Sequence, residues 1–491
     1  MTATVSPQEL KSMLSDGNEI AILDLREAGI FGEGHLFLAV PAAYSEFETR
    51  LPVLVPNPSV RVVLCDDGHG LSERAAKRAA EMGYTDVRVL DGGAPGWKAA
   101  GYTLYQGVNL PSKTFGELVE IERHTPNISA EELQRMREAR ENFVIVDGRT
   151  PQEYNRFNIP DGISCPNGEL ALRIGAIAPD PETTIVVNCA GRTRSIIGAQ
   201  TLIDFGVPNK VVALENGTQG WMLSGYEEEH GADRLYPQDI AIDSLDERRA
   251  KSAAFATQCG VAAVTAETVA DWFKASDRTT YLFDIRTDEE HKADGVAAAP
   301  HAPGGQLIQA TDTWVGVRNA RIVVADTDDV RAPMVAGWLR QLGHEAFTLA
   351  GGIPAAGGLT RQIPTGSMQE APPTLAAKDV AKACADGSVR LIDLRSSKAF
   401  QDGHIDGAVW SIRPLVGSAR GGDGLPIVLV SGRADVAALA TLDLAELGAN
   451  VTGRLDDDPD TWRAAGLDVV ATPDSPSDAE RIDFLFFTHE R

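Results

Sequence analysis

The chain has 491 residues, of which 43% are hydrophobic and 6% aromatic, and its formal net charge is −25. This length suits several globular domains, and the strongly negative charge argues against nucleic acid or an anionic membrane as a partner. No apolar run reaches membrane-spanning length, the N-terminus lacks the layout of a signal peptide, and the five cysteines are scattered without CxxC spacing. We therefore expect a cytoplasmic protein with reduced thiols and no metal site.

One unit is repeated four times along the chain. Each copy begins with an apolar strand that ends in Asp-x-Arg, and the four pairs are Asp24 and Arg26, Asp147 and Arg149, Asp284 and Arg286, and Asp393 and Arg395. A second apolar strand, a loop, an alanine-rich helix, a third strand and a turn follow in each copy. Alternating strands and helices predict an α/β fold with a mostly parallel sheet covered by helices on both faces.

Two copies also carry a helix-start signature directly after the Asp-x-Arg motif. A threonine is followed three residues later by a glutamate, as Thr150 with Glu153 and as Thr287 with Glu290. This spacing is typical of a capping box, in which the two side chains satisfy backbone N–H groups at the start of a helix. We therefore assign Glu153 first of all to helix capping.

The repeat predicts four domains, at residues 1–105, 128–227, 263–360 and 375–470. Polar segments with Pro or Gly at about 106–127, 228–262 and 361–374 are interpreted as linkers. The remaining residues, 471–491, end in an apolar patch. We expect this tail to dock on a neighbouring domain, and a homodimer contact is the alternative.

The second copy contains the most informative stretch. Residues 183–195, TTIVVNCAGRTRS, predict a buried strand, a short turn and the start of a helix. Cys189 then faces N–H groups without helical partners and the positive end of the helix dipole. Arg192 and Arg194 add positive charge, which favours the nucleophilic thiolate. The alternative, a buried structural cysteine, is disfavoured by two arginines and a glycine so close to it.

These motifs together resemble the rhodanese (thiosulfate sulfurtransferase) family. The resemblance is carried by the Asp-x-Arg pairs, by Gly-His-Ile-Asp-Gly-Ala at 403–408, by Cys-Ala-Gly-Arg-Thr-Arg-Ser at 189–195 and by the turn that precedes Trp97, Trp221 or Trp462. It covers nearly the whole chain as four tandem rhodanese-like modules. It implies that each module has a three-layer α/β/α fold around a mostly parallel sheet.

The resemblance also implies an activity and a set of site residues. Cys189 would take a sulfane sulfur from a small anionic donor such as thiosulfate, hold it as a persulfide and pass it to cyanide or a thiol, without a cofactor. The loop that cradles substrate would consist of Ala190, Gly191, Arg192, Thr193, Arg194 and Ser195. One arginine is expected to face the substrate and the other to pair with a carboxylate. Asp147 and Arg149 are expected to form a supporting salt bridge.

In the first copy, the family's nucleophile position aligns with Cys65. Cys65 and Cys189 each lie 26 residues before the acidic residue of the following turn, Asp91 and Glu215 respectively. Two aspartates follow Cys65 and no arginine is close to it, and carboxylates raise the pKa of a thiol and repel an anionic donor. Cys65 is therefore expected to be a relic or at most a secondary nucleophile.

The third and fourth copies lack a cysteine at the aligned position. Copy three places Ala325 there, and copy four places either Val430 or Ser431. We expect both copies to be catalytically silent and to serve structure or partner binding. Cys165 in the second copy is interpreted as an ordinary buried cysteine.

Two other functions remain open. Phosphatases and arsenate reductases of the same fold carry an arginine six residues after the nucleophile, where this chain has Ser195. The present loop is better suited to a single sulfur atom than to a tetrahedral phosphate. A non-enzymatic scaffold or sulfur-relay protein is the other alternative, because two of the four copies lack the cysteine.

Overall fold

The protein forms two compact units that each contain two of the sequence repeats. A computed structural model describes residues 2–238, 245–361, 363–364 and 370–485. Residues 1–108 and 363–491 make up one unit, and residues 109–362 make up the other. Modules one and four therefore share a unit, as do modules two and three, an arrangement that the repeat pattern does not predict. None of the helices in the described ranges combines the length and the apolar composition of a membrane span.

Module two is a parallel sheet between two layers of helices. Its strands follow the order Asn127–Ile128, Val211–Leu214, Thr184–Asn188, Phe143–Asp147 and Ile163–Ser164. The strand at 184–188 is buried along its apolar run, as expected for a central strand covered on both faces. The helices of this module are Ala130–Ala139, Pro151–Arg156, Leu170–Ile177, Thr193–Phe205 and Gly217–Leu223, with a 3₁₀ turn at Asn167–Glu169.

Module three repeats this plan within the same unit. Its sheet has the parallel strand order Ala262–Val264, Glu345–Leu349, Arg321–Ala325 and Thr280–Asp284. Its other elements are the helices Ala266–Lys274, Asp288–Asp294, Gly304–Gln309, Arg331–Gln341 and Gly352–Ala356, a 3₁₀ turn at Thr311–Thr313 and a short strand at Val317–Arg318. The predicted capping boxes form in both modules, at Thr150 with Glu153 and at Thr287 with Glu290.

Modules two and three pack tightly on each other. Buried Trp338 donates from its indole nitrogen to Thr201 Oγ1 over 2.8 Å. Buried Arg331 reaches across to Glu169 at 2.8 Å. Two helices, Leu110–Arg123 and Leu245–Gln258, occupy segments that we interpreted as linkers. The first of them, called the linker helix below, lies against the helix that follows Cys189.

The other unit contains modules one and four. The strand order of module one is Ala3–Val5, Asp86–Leu90, Arg61–Cys65, Ile20–Asp24 and Val40–Pro41. Module four has the order Val409–Trp410, Arg390–Asp393, Ile427–Val430 and Val451–Leu455, with His404–Ile405 paired to Val469–Val470. The helices are Pro7–Met13, Ala28–Glu33, Phe47–Leu54, Leu71–Glu81, Gly93–Ala99, Ala377–Ala385, Ser397–Asp402, Val416–Ala419, Ala434–Glu446 and Pro459–Ala464, with 3₁₀ turns at Tyr44–Glu46 and Arg413–Leu415.

The chain after module four contacts both modules of its unit. The N–H of Gly29 in module one donates to the carbonyl of Ile482 at 2.8 Å. The N–H of Ser397 in module four donates to the Asp483 carboxylate at 2.9 Å. The last part of the predicted docking tail, residues 486–491, lies outside the described residues.

Candidate active site

Cys189 lies at the point where the central strand of module two leads into a helix. It directly follows the strand Thr184–Asn188, and the helix Thr193–Phe205 begins shortly after it. Its Sγ lies 3.3 Å from Oγ of Ser195 in the first turn of that helix. The first N–H groups of a helix have no acceptor within the helix and form its positive end. The thiol is 2% exposed and lies beside this first turn of the helix.

A glycine turn closes against the Cys189 loop from the other side. Gly217 has a φ of +55°, and a Cβ added there would lie 2.2 Å from the carbonyl oxygen of Cys189. This close approach allows the N–H of Thr218 to donate to the Cys189 carbonyl at 2.8 Å. The N–H of Gln219 donates to the Ala190 carbonyl at 2.9 Å. The backbone of the loop is thus held by a turn that only glycine fits.

Asp147 and Arg149 form a buried ion pair at the end of the neighbouring strand. Arg149 donates from Nε and Nη2 to the two carboxylate oxygens at 2.9 and 2.8 Å. The side chain of Asn188 donates to the same carboxylate at 2.9 Å, which fixes the strand that carries Cys189. The same pair forms in the other modules, as Asp24 with Arg26, Asp284 with Arg286 and Asp393 with Arg395. Because modules without a loop cysteine contain the same ion pair, its presence is explained by a structural role at the end of the strand.

Arg194 pairs with Glu153 in a bidentate arrangement. Its two terminal nitrogens donate to the two carboxylate oxygens at 2.8 and 2.7 Å. Burial raises the pKa of Glu153, but the Arg194 ion pair and the hydrogen bonds from Thr150 outweigh it and hold the pKa at about 2. Burial also opposes the charge on Arg194, and Glu153 nevertheless keeps the pKa of that guanidinium above its ordinary value. The capping glutamate thus has a second task, which is to anchor the loop arginine.

Arg192 pairs with the linker helix. Its Nε lies 2.9 Å from Glu117, and its Nη2 contacts Glu120. Both loop arginines are therefore engaged by carboxylates, whereas we expected one of them to face the substrate. The sequence does not reveal this partner, because Glu117 and Glu120 lie in a segment interpreted as a linker.

Replacing Glu153 by glutamine tests the Arg194 pair with little other disturbance, because glutamine also serves in a capping box. We expect a loss of about 1–2 kcal/mol in the free energy of unfolding at neutral pH, low in the range for charged hydrogen bonds because the Glu153 side chain is 39% exposed. The folded-state pKa of about 2 lies below the ordinary 4.5. The contribution is therefore complete above about pH 4.5 and is lost as the pH falls toward 2.

The matched control for that variant is Glu290→Gln in module three. Glu290 has the same capping box and the same bidentate arginine partner, Arg331. Arg331 also keeps Asp328 and Glu169 as partners, so Glu290→Gln should lower the free energy of unfolding less than Glu153→Gln does. Urea denaturation of the wild type and both variants at pH 7 and pH 3.5 measures the difference. A Glu153→Gln deficit that does not shrink at the lower pH contradicts the assignment.

The strand register corrects the alignment of module one. Asp147 pairs with Asn188 in module two, whereas the equivalent Asp24 pairs with Cys65. Cys65 is therefore the counterpart of Asn188, and the residue in the place of Cys189 is Asp66. The glycine turn agrees, since the N–H of Ala94 donates to the Asp66 carbonyl at 2.8 Å. Cys65 is fully buried at the end of its strand, and this burial raises the pKa of its thiol.

The same register places different residues in modules three and four. Asp284 pairs with Ala325, so Asp326 and not Ala325 takes the place of Cys189. The N–H of Ile353 donates to the Asp326 carbonyl at 2.8 Å, as the glycine turns of modules one and two do. In module four, Asp393 pairs with Val430, which leaves Ser431 as the counterpart.

In modules one and three the aspartate at this position caps its own loop. The Asp66 carboxylate accepts hydrogen bonds from the N–H groups of Gly68 and Ser72, at 2.8 and 3.0 Å. The Asp326 carboxylate accepts from Asp329 and Ala332, at 3.0 and 2.8 Å. These loops therefore hold a carboxyl group at the position where module two presents a thiol, and burial, with Asp328 nearby, raises the pKa of Asp326 to about 7.

The remaining cysteines lie away from the Cys189 loop. Cys165 is fully buried in the core of module two, and burial raises the pKa of its thiol. Cys259 follows the helix Leu245–Gln258, and Cys384 is in the helix Ala377–Ala385 of module four. Both are partly buried.

Comparison with known proteins agrees with this site. Residues 6–100 and 129–224 match the rhodanese-like domain family. The crystal structure of a thiosulfate sulfurtransferase from Pseudomonas aeruginosa is 39% identical, with a TM-score of 0.90, over 98% of this chain and 92% of that one. A helix-turn-helix type transcriptional regulator of Mycobacterium tuberculosis is 33% identical over 105 residues, which is 21% of this chain and 45% of the regulator's length. The chain belongs to the rhodanese family and is a homologue of a thiosulfate sulfurtransferase over nearly its whole length.

Proposed function

We propose that this protein is a sulfurtransferase that carries a sulfane sulfur as a persulfide on Cys189. The observation that carries the proposal is the position of Cys189 between a buried strand and a helix start, with its carbonyl held by the glycine turn. The similar Pseudomonas aeruginosa protein is a thiosulfate sulfurtransferase, which supports thiosulfate as a donor. Cyanide or a thiol is the proposed acceptor.

The reaction proceeds in two displacements at sulfur. The Cys189 thiolate attacks the outer sulfur of thiosulfate, the S–S bond of the donor breaks, and sulfite leaves with the bonding electron pair. The product is a Cys189 persulfide anion. Cyanide or a thiolate then attacks the outer sulfur of the persulfide. The S–S bond to Cys189 breaks, and the Cys189 thiolate leaves with the electron pair. The product is thiocyanate when cyanide is the acceptor and a new persulfide when a thiolate is. Charge and electrons balance in each step without an oxidant or reductant.

The loop contributes stabilisation of the charge that moves through these steps. Backbone N–H groups at residues 190–195 and the positive end of the helix Thr193–Phe205 are fixed before the reaction, so they stabilise an anionic sulfur without reorganising. The Ser195 hydroxyl lies 3.3 Å from Sγ and donates to the Arg192 carbonyl at 2.9 Å, so it ties the loop backbone together beside the thiol. We assign Ala190 to Ser195 to the substrate loop on this basis.

The other three modules are proposed to be structural or partner-binding domains. Asp66 and Asp326 fill the loops of modules one and three, and neither carboxylate can accept a sulfane sulfur. In module four, the Ser431 hydroxyl donates to the carbonyl of Arg433 and accepts from the N–H of Arg433, so it is hydrogen-bonded within its own loop. The domain limits 1–105, 128–227, 263–360 and 375–470 are part of the same proposal.

Intact-mass measurement after treatment with thiosulfate tests the proposed function. We expect a stable increase by the mass of one sulfur atom, which peptide mapping locates on Cys189 and which cyanide removes as thiocyanate. A protein that gains no sulfur and forms no thiocyanate would refute the proposal. Hydrolysis of an aryl phosphate, measured in parallel, would point instead to the phosphatase alternative.

A further inference from the structure

The linker helix, Leu110–Arg123, forms one wall of the Cys189 loop. Gly116 of this helix faces Thr193, and a Cβ added at Gly116 would lie 2.8 Å from the Thr193 side chain. The glycine therefore allows the helix backbone to approach the loop closely.

Two glutamates of this helix engage the loop directly. Arg192 lies 2.9 Å from Glu117 through Nε and contacts Glu120 through Nη2. Glu120 is itself held in place, because it accepts a hydrogen bond from the Asn127 side chain at 2.9 Å. The Arg192 guanidinium is thus directed toward the helix by two carboxylates.

These contacts change the charge that an incoming donor meets. The two loop arginines face three carboxylates, since Arg194 is also paired with Glu153. The loop side chains and their partners therefore carry one net negative charge, and each planar guanidinium already has an anionic partner. A dianion such as thiosulfate must compete with Glu117 and Glu120 for Arg192. A donor of lower charge is repelled less by these two carboxylates, so its binding is weakened less.

We propose that Glu117 and Glu120 are specificity-determining residues that restrain the use of dianionic donors and favour sulfane-sulfur donors of lower charge. The inference rests on the proposed function of Cys189 and refines its substrate class. The glutamates act on the donor through Arg192 and through the local field. They touch neither the thiol nor the transferred sulfur.

The test compares two donors that share the same reacting S–S bond and differ in charge. Thiosulfate carries two negative charges and benzenethiosulfonate carries one. In the double variant Glu117→Gln, Glu120→Gln we expect the KM for thiosulfate to fall about fivefold at low salt, with a smaller fall for benzenethiosulfonate and little change in kcat. Added salt should reduce the difference. Glutamine keeps an acceptor for Asn127.

Glu122→Gln is the matched control, because Glu122 is an exposed residue on the same helix and undergoes the same change of charge. It should leave the ratio of kcat/KM for the two donors within about twofold of the wild type. The single variant Glu117→Gln, at a side chain that is 48% exposed, guards against misfolding of the double variant. It should give part of the same shift.

An unchanged donor ratio in the Glu117→Gln and double variants, with normal turnover, would overturn this proposal and leave the sulfurtransferase assignment intact. A fall in KM of equal size for both donors would overturn it as well, since charge selectivity would then be absent. Failure of the wild type to form a Cys189 persulfide from either donor refutes the proposed function itself. The two failures are therefore distinguishable.

Discussion

Replacing Cys189 by serine is expected to abolish sulfur transfer. The serine hydroxyl is a poor nucleophile toward sulfur and cannot form a persulfide, so the rate of thiocyanate formation should fall on the order of 10³-fold or more. The thiosulfate-dependent gain of one sulfur atom should disappear with it. Stability should change little, because the substitution is nearly isosteric and Ser195 offers the new hydroxyl a hydrogen-bonding neighbour.

The matched variant is Cys65→Ser, which the register places at the end of its strand, outside the loop position. Cys65 is fully buried and burial raises the pKa of its thiol, so it should neither gain sulfur nor support turnover in the Cys189→Ser background. The wild-type rate should persist in Cys65→Ser. Persulfide found on Cys65 would contradict the register, which places Cys65 outside the loop position.

The features that the sequence predicts correctly are those encoded within a few residues of chain. The apolar run before Cys189 specifies a buried strand, and the capping boxes at Thr150 and Thr287 specify where two helices begin. The four Asp-x-Arg motifs identify four copies of one fold, because the pair closes locally between residues two apart. Local rules suffice for these elements since their partners are neighbours in the chain.

The features that the sequence does not predict depend on register and on distant partners. Counting back from the following turn makes Cys65 the counterpart of Cys189, but the intervening loop and helix differ in length between modules one and two. The pairing of Asp24 with Cys65 and the hydrogen bond from Ala94 to the Asp66 carbonyl show that Asp66 occupies the site. Copies one and three both have an aspartate directly after the strand, Asp66 and Asp326. A comparison of these two copies is the signal in the sequence that indicates the correct alignment.

Long-range contacts also decide what the loop arginines do. Glu120 lies 72 residues before Arg192, in a polar segment that resembles a linker when read alone. Its helical character matters only because Gly116 lets the helix pack on the loop. In the folded protein, the two arginines that suggest an anion site are instead paired with three carboxylates.

Replacing Gly217 by alanine is expected to have the second large effect, because this position couples the glycine turn to the Cys189 loop. The new Cβ would lie 2.2 Å from the Cys189 carbonyl and 2.7 Å from the Gly191 carbonyl, so the loop must move. A displacement near 1 Å at the reacting group should lower kcat by about 10²-fold. The strained φ of +55° adds a stability cost of roughly 1–3 kcal/mol.

Two other glycines separate the effect on activity from the effect on stability. Gly352 makes the same close approach in module three, 2.2 Å from the Asp326 carbonyl, so Gly352→Ala should cost similar stability and leave sulfur transfer unchanged. Gly206 ends the helix after Cys189 with a φ of +77° and has open space around it, so Gly206→Ala should cost only about 1 kcal/mol. Thermal denaturation and thiocyanate assays of the three variants give the comparison. Equal activity in Gly217→Ala and Gly352→Ala would mean that the turn of module two does not position Cys189.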